Sequence, residues 1–577
     1  MANNKFRNYT PLIIAVSVAV GILVGSFYAS HFRSNRLSIA NSTNSKINDM
    51  LFAVEDRYVD TVDINDLVEK SLPKILLELD PHSTYTSAKE VEAEMQELKG
   101  EFSGIGVIFS IIKDTARIVH VVEGGPSEDV GLMDGDRIVK VDGKPFVGDF
   151  LTDEYAMKKL RGPNNSVIKL GIMRRGTPSV RTFEVTRGPV PVKTIDVYSM
   201  IDKTTGYIRI NTFGERTYEE LLVALAELRS QGANSLVIDL RGNGGGYMDA
   251  AINIANQFLP GKRMIVYTEG RKSERTEYRS DGRGDYKTTP LVVLVDETSA
   301  SASEIFAAAI QDNDRGIIMG RRTFGKGLVQ EPIQFPDGSL LKLTIARYYS
   351  PSGRCLQKPY VKGDAKDYQN DIFERYQKGE LLSEDSIHLS GKKYSTHLGR
   401  TVFGGGGVMP DIFIPADTTD ITSYYMEAAS SRRLAEFAFN YADSHRDELR
   451  KYRTWEELAA YLKKQNLVDK FATYAERDGL KRRNLLIRKS QKLLEDNLLS
   501  SIIDYLLDAK SASLYLLKHD TCITKALELI RNKQTQPQPP EKKEKELAKQ
   551  KNSLSPHIYI KKNSYLCAAK HKTQINT

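Results

Sequence analysis

Two short runs carry the residues best suited to chemistry. One is Ser299-Ala300-Ser301-Ala302-Ser303-Glu304. The other is Thr323-Phe324-Gly325-Lys326-Gly327, with Gln330 a little further on. A serine hydroxyl is a weak nucleophile and needs a base. No histidine lies between Ser301 and Gln330, so a lysine is the available proton acceptor. An amine of ordinary pKa, about 10.4, must fall by roughly 3 units to serve near neutrality, about 4 kcal/mol of differential solvation. Burial in an apolar site supplies that. Gln330, four residues after Lys326, can orient the amine without adding charge, whereas an acidic neighbour would keep it protonated. The plainer alternative makes the three serines helix N-cap residues and Lys326 a solvated loop lysine.

The surrounding elements predict how these residues are held. Leu291–Val295 is a continuous, β-branched apolar run and reads as a buried parallel strand. Residues 305–310 read as a helix, so Ser301 falls on a strand-to-helix turn, where backbone N–H groups are free to face developing negative charge. Residues 316–320 read as the next strand. Upstream, GYIRINTF from Gly206 and SLVIDL from Ser235 read as strands. The helix between them opens with a capping box of Thr217 and Glu220. Another helix is predicted over 247–259. This alternation predicts an α/β layer with a parallel sheet. Arg241-Gly242-Asn243-Gly244-Gly245-Gly246 joins the second strand to the following helix. Such a turn either cradles a phosphate or presents amides to an oxyanion, and the full nucleotide fingerprints are absent.

Together, SASASEI and TFGKGLVQ closely resemble the C-terminal processing peptidases (tail-specific proteases), which use a Ser-Lys dyad with an assisting Gln. The resemblance runs from about Leu79 to Asp411. It implies Ser301 as nucleophile, Lys326 as base, 25 residues later, and Gln330 as the orienting amide. The LRxNxGG element matches 240–246, which implies an oxyanion hole formed by the backbone N–H groups of Gly246 and Ala302; Gly244 stands where many members have proline. Leu79-Asp80-Pro81-His82-Ser83-Thr84-Tyr85 is similar to the family's LDP-S-Y signature, and His82 reads as a surface loop residue without a catalytic role. Pro351-Ser352-Gly353-Arg354 and the GGG-x-x-PD element ending at Asp411 match as well. Asp296-Glu297-Thr298 departs from the family, which often has an Asn and a Gly there.

Between 101 and 189, short alternating runs such as GIGVIFSI, RIVHVVEG and RIVKVDG read as β-strands. Gly131-Leu132-Met133-Asp134-Gly135-Asp136 resembles a PDZ element. Gly104-Ile105-Gly106-Val107 then matches the PDZ carboxylate-binding loop, in which glycines let successive N–H groups converge on a peptide terminus. The alternative is a structural glycine turn in an unrelated small β domain.

The net charge of +8 does not describe the body. From Arg531 to the end there are 11 Lys/Arg and three Glu, so the remainder is neutral overall. The basic pI therefore gives no ground for nucleic-acid binding. Three scattered cysteines show no metal spacing and suggest no disulfide framework. Residues 11–29 carry no charge and are just long enough to span a bilayer. An uncleaved signal anchor is favoured over a cleaved signal peptide. After Gln330, DGSLLKLTIARYYSPSGR reads as two strands. The Tyr- and Lys-rich insertion at about 357–400 suggests no chemistry.

The expected chain is thus a multidomain α/β protein. A cytoplasmic N-terminus and transmembrane anchor occupy 1–30, a helical region 31–99, a PDZ domain 100–189, and a crotonase-like protease core 190–415. A helical C-terminal domain for docking or homo-oligomerisation occupies 416–531, and a disordered basic tail 532–577. The resemblance implies a serine endopeptidase, without metal or cofactor, that acts on proteins with apolar C-termini. Its body would lie on the periplasmic side of the inner membrane. Two alternatives are a catalytically silent PDZ scaffold and an acyl-CoA enzyme. The first predicts loss of Ser, Lys or Gln, and all three are present. The second predicts a cytoplasmic location, at odds with residues 11–29.

Overall fold

The computed structural model describes residues 35–91, 101–177, 179–388 and 391–539. The predicted membrane anchor, and the basic tail beyond 539, lie outside them. Among the described residues no helix is long and apolar enough to cross a membrane.

The chain divides into two units, 1–78 and 79–577. In the first, helices span Asn35–Arg57 and Ile64–Leu77. Asp63 caps the second helix by accepting from the N–H groups of Asn65 and Asp66. Helix Ile64–Leu77 buries none of its residues, and Ile47 and Tyr58 are about half exposed.

The second unit is built on a six-stranded sheet. Its order is Val197–Met200, Thr205–Arg209, Ser235–Asp239, Leu291–Val295, Ile317–Gly320 and Ile412–Phe413. The first pair is antiparallel and the rest are parallel. The strand Leu291–Val295 is buried on both sides, which is why its sequence is continuously apolar. Leu291, Val293 and Val295 face the helices Thr217–Ser230, Met248–Phe258 and Ala302–Asp312. Val292 and Leu294 face the last described helix, Thr521–Arg531, through Ile523, Ala526 and Leu529. Part of the region predicted as a separate C-terminal domain therefore covers the second face of the protease sheet.

A second sheet is antiparallel. Its long strand Leu340–Tyr349 pairs with Leu328–Gln334, Met264–Glu269 and Thr84–Thr86. Two expectations are corrected here. The run after Gln330 forms one ten-residue strand rather than two. Residues 84–86, within a stretch read as helical, are a strand held in the core by this pairing. The predicted capping box also fails to form. Glu220 instead reaches across to accept from the N–H groups of Thr194 and Ile195 and the Thr194 hydroxyl.

Residues 101–191 form a β domain whose sheet begins at the edge strand Val107–Ile112. The helix Asp153–Leu160 lies across a groove from that strand. Helices between 423 and 517 form a separate core, which Ile112 and Val119 of the β domain join.

Candidate active site

The turn from strand Leu291–Val295 into helix Ala302–Asp312 is tight. Asp296 accepts from the N–H groups of Gly242, Thr298 and Ser299, and so fastens the turn to the glycine-rich loop. Ser301 sits at the helix start with φ 55° and ψ −114°, a backbone conformation that L-residues rarely adopt. Its own N–H is taken by Glu304 at 3.0 Å. Among the described residues, the next amide, that of Ala302, donates to nothing.

Residues 244–246 cross directly over this turn. A Cβ on Gly245 would lie 2.7 Å from Ser301 Cβ, and one on Gly246 would lie 2.3 Å from the Phe213 carbonyl oxygen. Both glycines have positive φ, 108° and 136°. Only glycine tolerates that geometry at that distance. The loop is held as a strand: Phe213 N–H donates to Gly245 O at 2.8 Å, and Tyr247 N–H donates to Phe213 O at 2.7 Å. This pattern leaves the intervening Gly246 N–H without a partner among the described residues, as Ala302 N–H is. Two free amides thus flank Ser301 at a helix N-terminus, an arrangement that stabilises an oxyanion. Arg241 braces the base of the loop through Asp239 and Asp520, at 2.6 and 2.8 Å.

Glu304 joins the serine turn to the lysine loop. Its fully buried carboxylate accepts from Ser301 N–H, Lys326 N–H at 2.8 Å, Gly325 N–H at 2.8 Å and the Thr323 hydroxyl at 2.5 Å. Burial pushes its carboxyl up to about 7, against the pull of those four donors.

Lys326 and Ser301 line one cavity of about 570 Å3 together with Gly246, Tyr247, Met248, Ile305, Leu328, Leu340 and Tyr348. Burial lowers the lysine pKa and the Lys342 charge adds to that, while Glu304 and Asp80 oppose it. The amine donates to Gln330 Oε1 at 3.2 Å. The Gln330 amide nitrogen in turn donates to the His82 carbonyl. A carbonyl only accepts, so this contact fixes which end of the glutamine faces the lysine. A neutral Lys326 with one N–H on Gln330 keeps a lone pair for a serine proton.

His82 is therefore not a plain surface residue, although its side chain stands outside the chemistry. Its main chain orients Gln330, and its ring meets the Tyr368 hydroxyl at 2.8 Å. Burial first, then the Lys326 charge, lower its pKa to about 4, which leaves it neutral. Asp80 fixes this turn by accepting from His82 N–H, Ser83 N–H and the Thr344 hydroxyl. Tyr368 comes from helix Ala365–Gln377 in the insertion to which the sequence assigned nothing. The pairing that brings His82 to Gln330 spans 248 residues and leaves no local signal.

In the β domain, Ile105, Gly106 and Val107 line a groove of about 290 Å3 with Phe102, Met157 and Leu160. Gly104 precedes it at the end of strand Glu101–Gly104. Among the described residues, no group of His, Cys, Asp and Glu is arranged to hold a metal ion.

Comparison with known proteins gives three family matches: Peptidase family S41 over 204–367, a PDZ domain over 117–174, and a family of unknown function (DUF8443) over 424–508. The carboxy-terminal-processing protease of Bartonella bacilliformis is 33% identical over 385 residues, covering 65% of this chain and 85% of that protein. The carboxy-terminal processing protease CtpA of Bacillus subtilis is 31% identical, covering 66% and 80%. The carboxyl-terminal-processing protease of Synechocystis sp. is 35% identical, covering 49% and 70%.

Proposed function

The chain belongs to the carboxy-terminal processing peptidases of family S41, and on that basis we propose how its residues divide the work. It is a serine peptidase with a PDZ domain that binds peptide C-termini. Ser301 Oγ attacks the scissile carbonyl while neutral Lys326 takes its proton. Gly246 and Ala302 amides receive the oxyanion, and Gln330 holds the amine. Lys326 then protonates the leaving amine. The acyl-enzyme is hydrolysed by water activated at the same nitrogen. The observation that carries this reading is the shared cavity, where a serine on a strained turn, a desolvated lysine and Gly246, whose amide has no partner among the described residues, meet. Its apolar walls, Met248, Ile305, Leu328 and Leu340, favour cleavage beside an apolar side chain. This division needs no metal or cofactor. Membership in a family named for proteolysis lends no support to the silent-scaffold alternative.

The reading divides the chain at 100–189, 190–415 and 416–531, with a crotonase-like core. It also places the body outside the cytoplasm, on the periplasmic side of the inner membrane, held by residues 11–29. That segment's lack of charge supports the placement. Homo-oligomerisation through the C-terminal helices is supported by their exposed apolar residues, Met426, Leu485 and Leu516. Light scattering of the purified chain tests that element.

The enzymatic reading is tested by comparing the chain with its Ser301→Ala variant on an unfolded reporter with an apolar C-terminus, from pH 6 to 10. Cleavage by the first alone supports it. Equal cleavage by both would remove Ser301 as nucleophile.

A further inference from the structure

The groove that receives a peptide terminus does not end within the β domain. Strand Val107–Ile112 continues past the first cavity into a second, of about 440 Å3. One wall of that cavity is the rest of the same strand with Lys113, Leu151 and Thr152. The other comes from the helical region matched only to a family of unknown function, through Ser431, Arg432, Ala435 and Glu436. Asp153 lines both cavities. Arg432, at a left-handed turn with φ 59°, places its guanidinium on Asp153 at 2.5 Å. Lys113 meets Glu436 at 3.4 Å.

The two domains are firmly joined around this cleft. Arg117 donates to Asn440 at 3.0 Å and stacks on Phe439. His120 reaches Asp504 at 3.2 Å, and Ile112 and Val119 are buried in the helical core. The cleft is thus a built continuation of the groove.

Spacing assigns its first position. A peptide paired with the edge strand points alternate side chains the same way, about 6.8 Å apart. On helix Asp153–Leu160, Asp153 and Met157 are one turn apart, about 6 Å along the axis. A terminal apolar side chain against Met157 and Leu160 therefore puts the third residue from the end against Asp153. The side chains of Asp153 and Arg432 are 45% and 62% exposed, so their ion pair is weak and exchangeable.

We infer that the helical C-terminal region completes the tail-binding groove, and that Arg432 occupies Asp153 as an internal stand-in for a basic residue third from the end of the substrate tail. The inference rests on the tail-capture reading above and adds a specificity to it.

Fluorescence anisotropy with the full chain carrying Ser301→Ala tests it, since labelled tails are then bound but not cut. Twelve-residue tails end in valine and differ only in Lys, Ala or Glu at the third position from the end. The Lys tail is expected to bind about three- to tenfold more tightly than the Ala tail, and the Glu tail more weakly than either. Asp153→Asn should abolish the order, and Asp153→Lys should reverse it. Arg432→Gln should tighten the Lys tail about two- to threefold. Equal binding of the three free-carboxylate tails, or an order that survives Asp153→Asn, overturns the inference and leaves tail capture standing. An amidated tail that binds as well as the free acids, or no binding at all, overturns both.

Discussion

The carboxylate of Glu304 accepts the main-chain N–H of Lys326 at 2.8 Å while also accepting that of Ser301 at 3.0 Å. One buried side chain thus fastens the turn carrying Ser301 to the loop carrying Lys326. All four donors point at its two oxygens. Glu304→Gln turns one oxygen into a donor that opposes them and leaves buried groups unsatisfied, at a cost of about 1–3 kcal/mol. The variant is expected to unfold several degrees lower. Its kcat should fall by about tenfold or more, because the loop carrying Lys326 is no longer fastened to the turn carrying Ser301. Differential scanning calorimetry and steady-state kinetics measure both.

The Lys326–Gln330 contact predicts a pH profile. In the proposed mechanism the neutral amine is the base and its fraction grows with pH, so kcat/KM should rise with pH. The limb should lie below the ordinary lysine range because burial lowers the Lys326 pKa. In Gln330→Glu a carboxylate replaces the amide beside the amine and favours the ammonium form. The limb should then move to higher pH by about one unit or more, with lower activity at pH 7. An unmoved limb would detach the titration from Lys326.

The glycine loop predicts a graded series. A Cβ on Gly244 meets nothing within 4 Å, whereas one on Gly246 overlaps the Phe213 carbonyl. Gly244→Ala should leave kcat within about twofold. Gly246→Ala should displace an oxyanion donor and lower kcat by about 10²- to 10³-fold. Gly245→Ala should also be severe, since its Cβ would press on Ser301.

His120 joins the β domain to the helical region between Asp134 and Asp504. Burial opposes its charge, but hydrogen bonds to the two carboxylates prevail and raise its pKa to about 9. Stability from the charged ring is therefore fully present below about pH 6.5 and lost as pH rises through about 9. The thermal midpoint should fall by a few degrees between pH 7 and 10. His120→Gln should show less of that fall.

The strand-to-helix turns that carry Ser301 and the glycine loop were legible locally, whereas the grouping of Ser301 with Lys326 and Gln330 rested on the resemblance of their runs to the C-terminal processing peptidases. The parallel strands were legible because burial on both faces leaves no room for polar residues. What stayed hidden depends on contacts between distant segments. Glu304 stands just before the run read as a helix, yet three of its four donors come from residues 323–326. His82 read as a surface residue because only its carbonyl matters, and a main-chain group leaves no trace in residue type. Helix Thr521–Arg531 has an apolar stripe, but a stripe does not say which core it will join.

The central claim is that Lys326 activates Ser301. An apolar fluorophosphonate reacts only with an activated serine, so intact-mass and peptide mass spectrometry of the treated chain tests it directly. One adduct is expected, on the peptide containing Ser301, lost in Ser301→Ala and strongly reduced in Lys326→Ala. An adduct on another residue, or equal labelling of the Lys326→Ala variant, would contradict it.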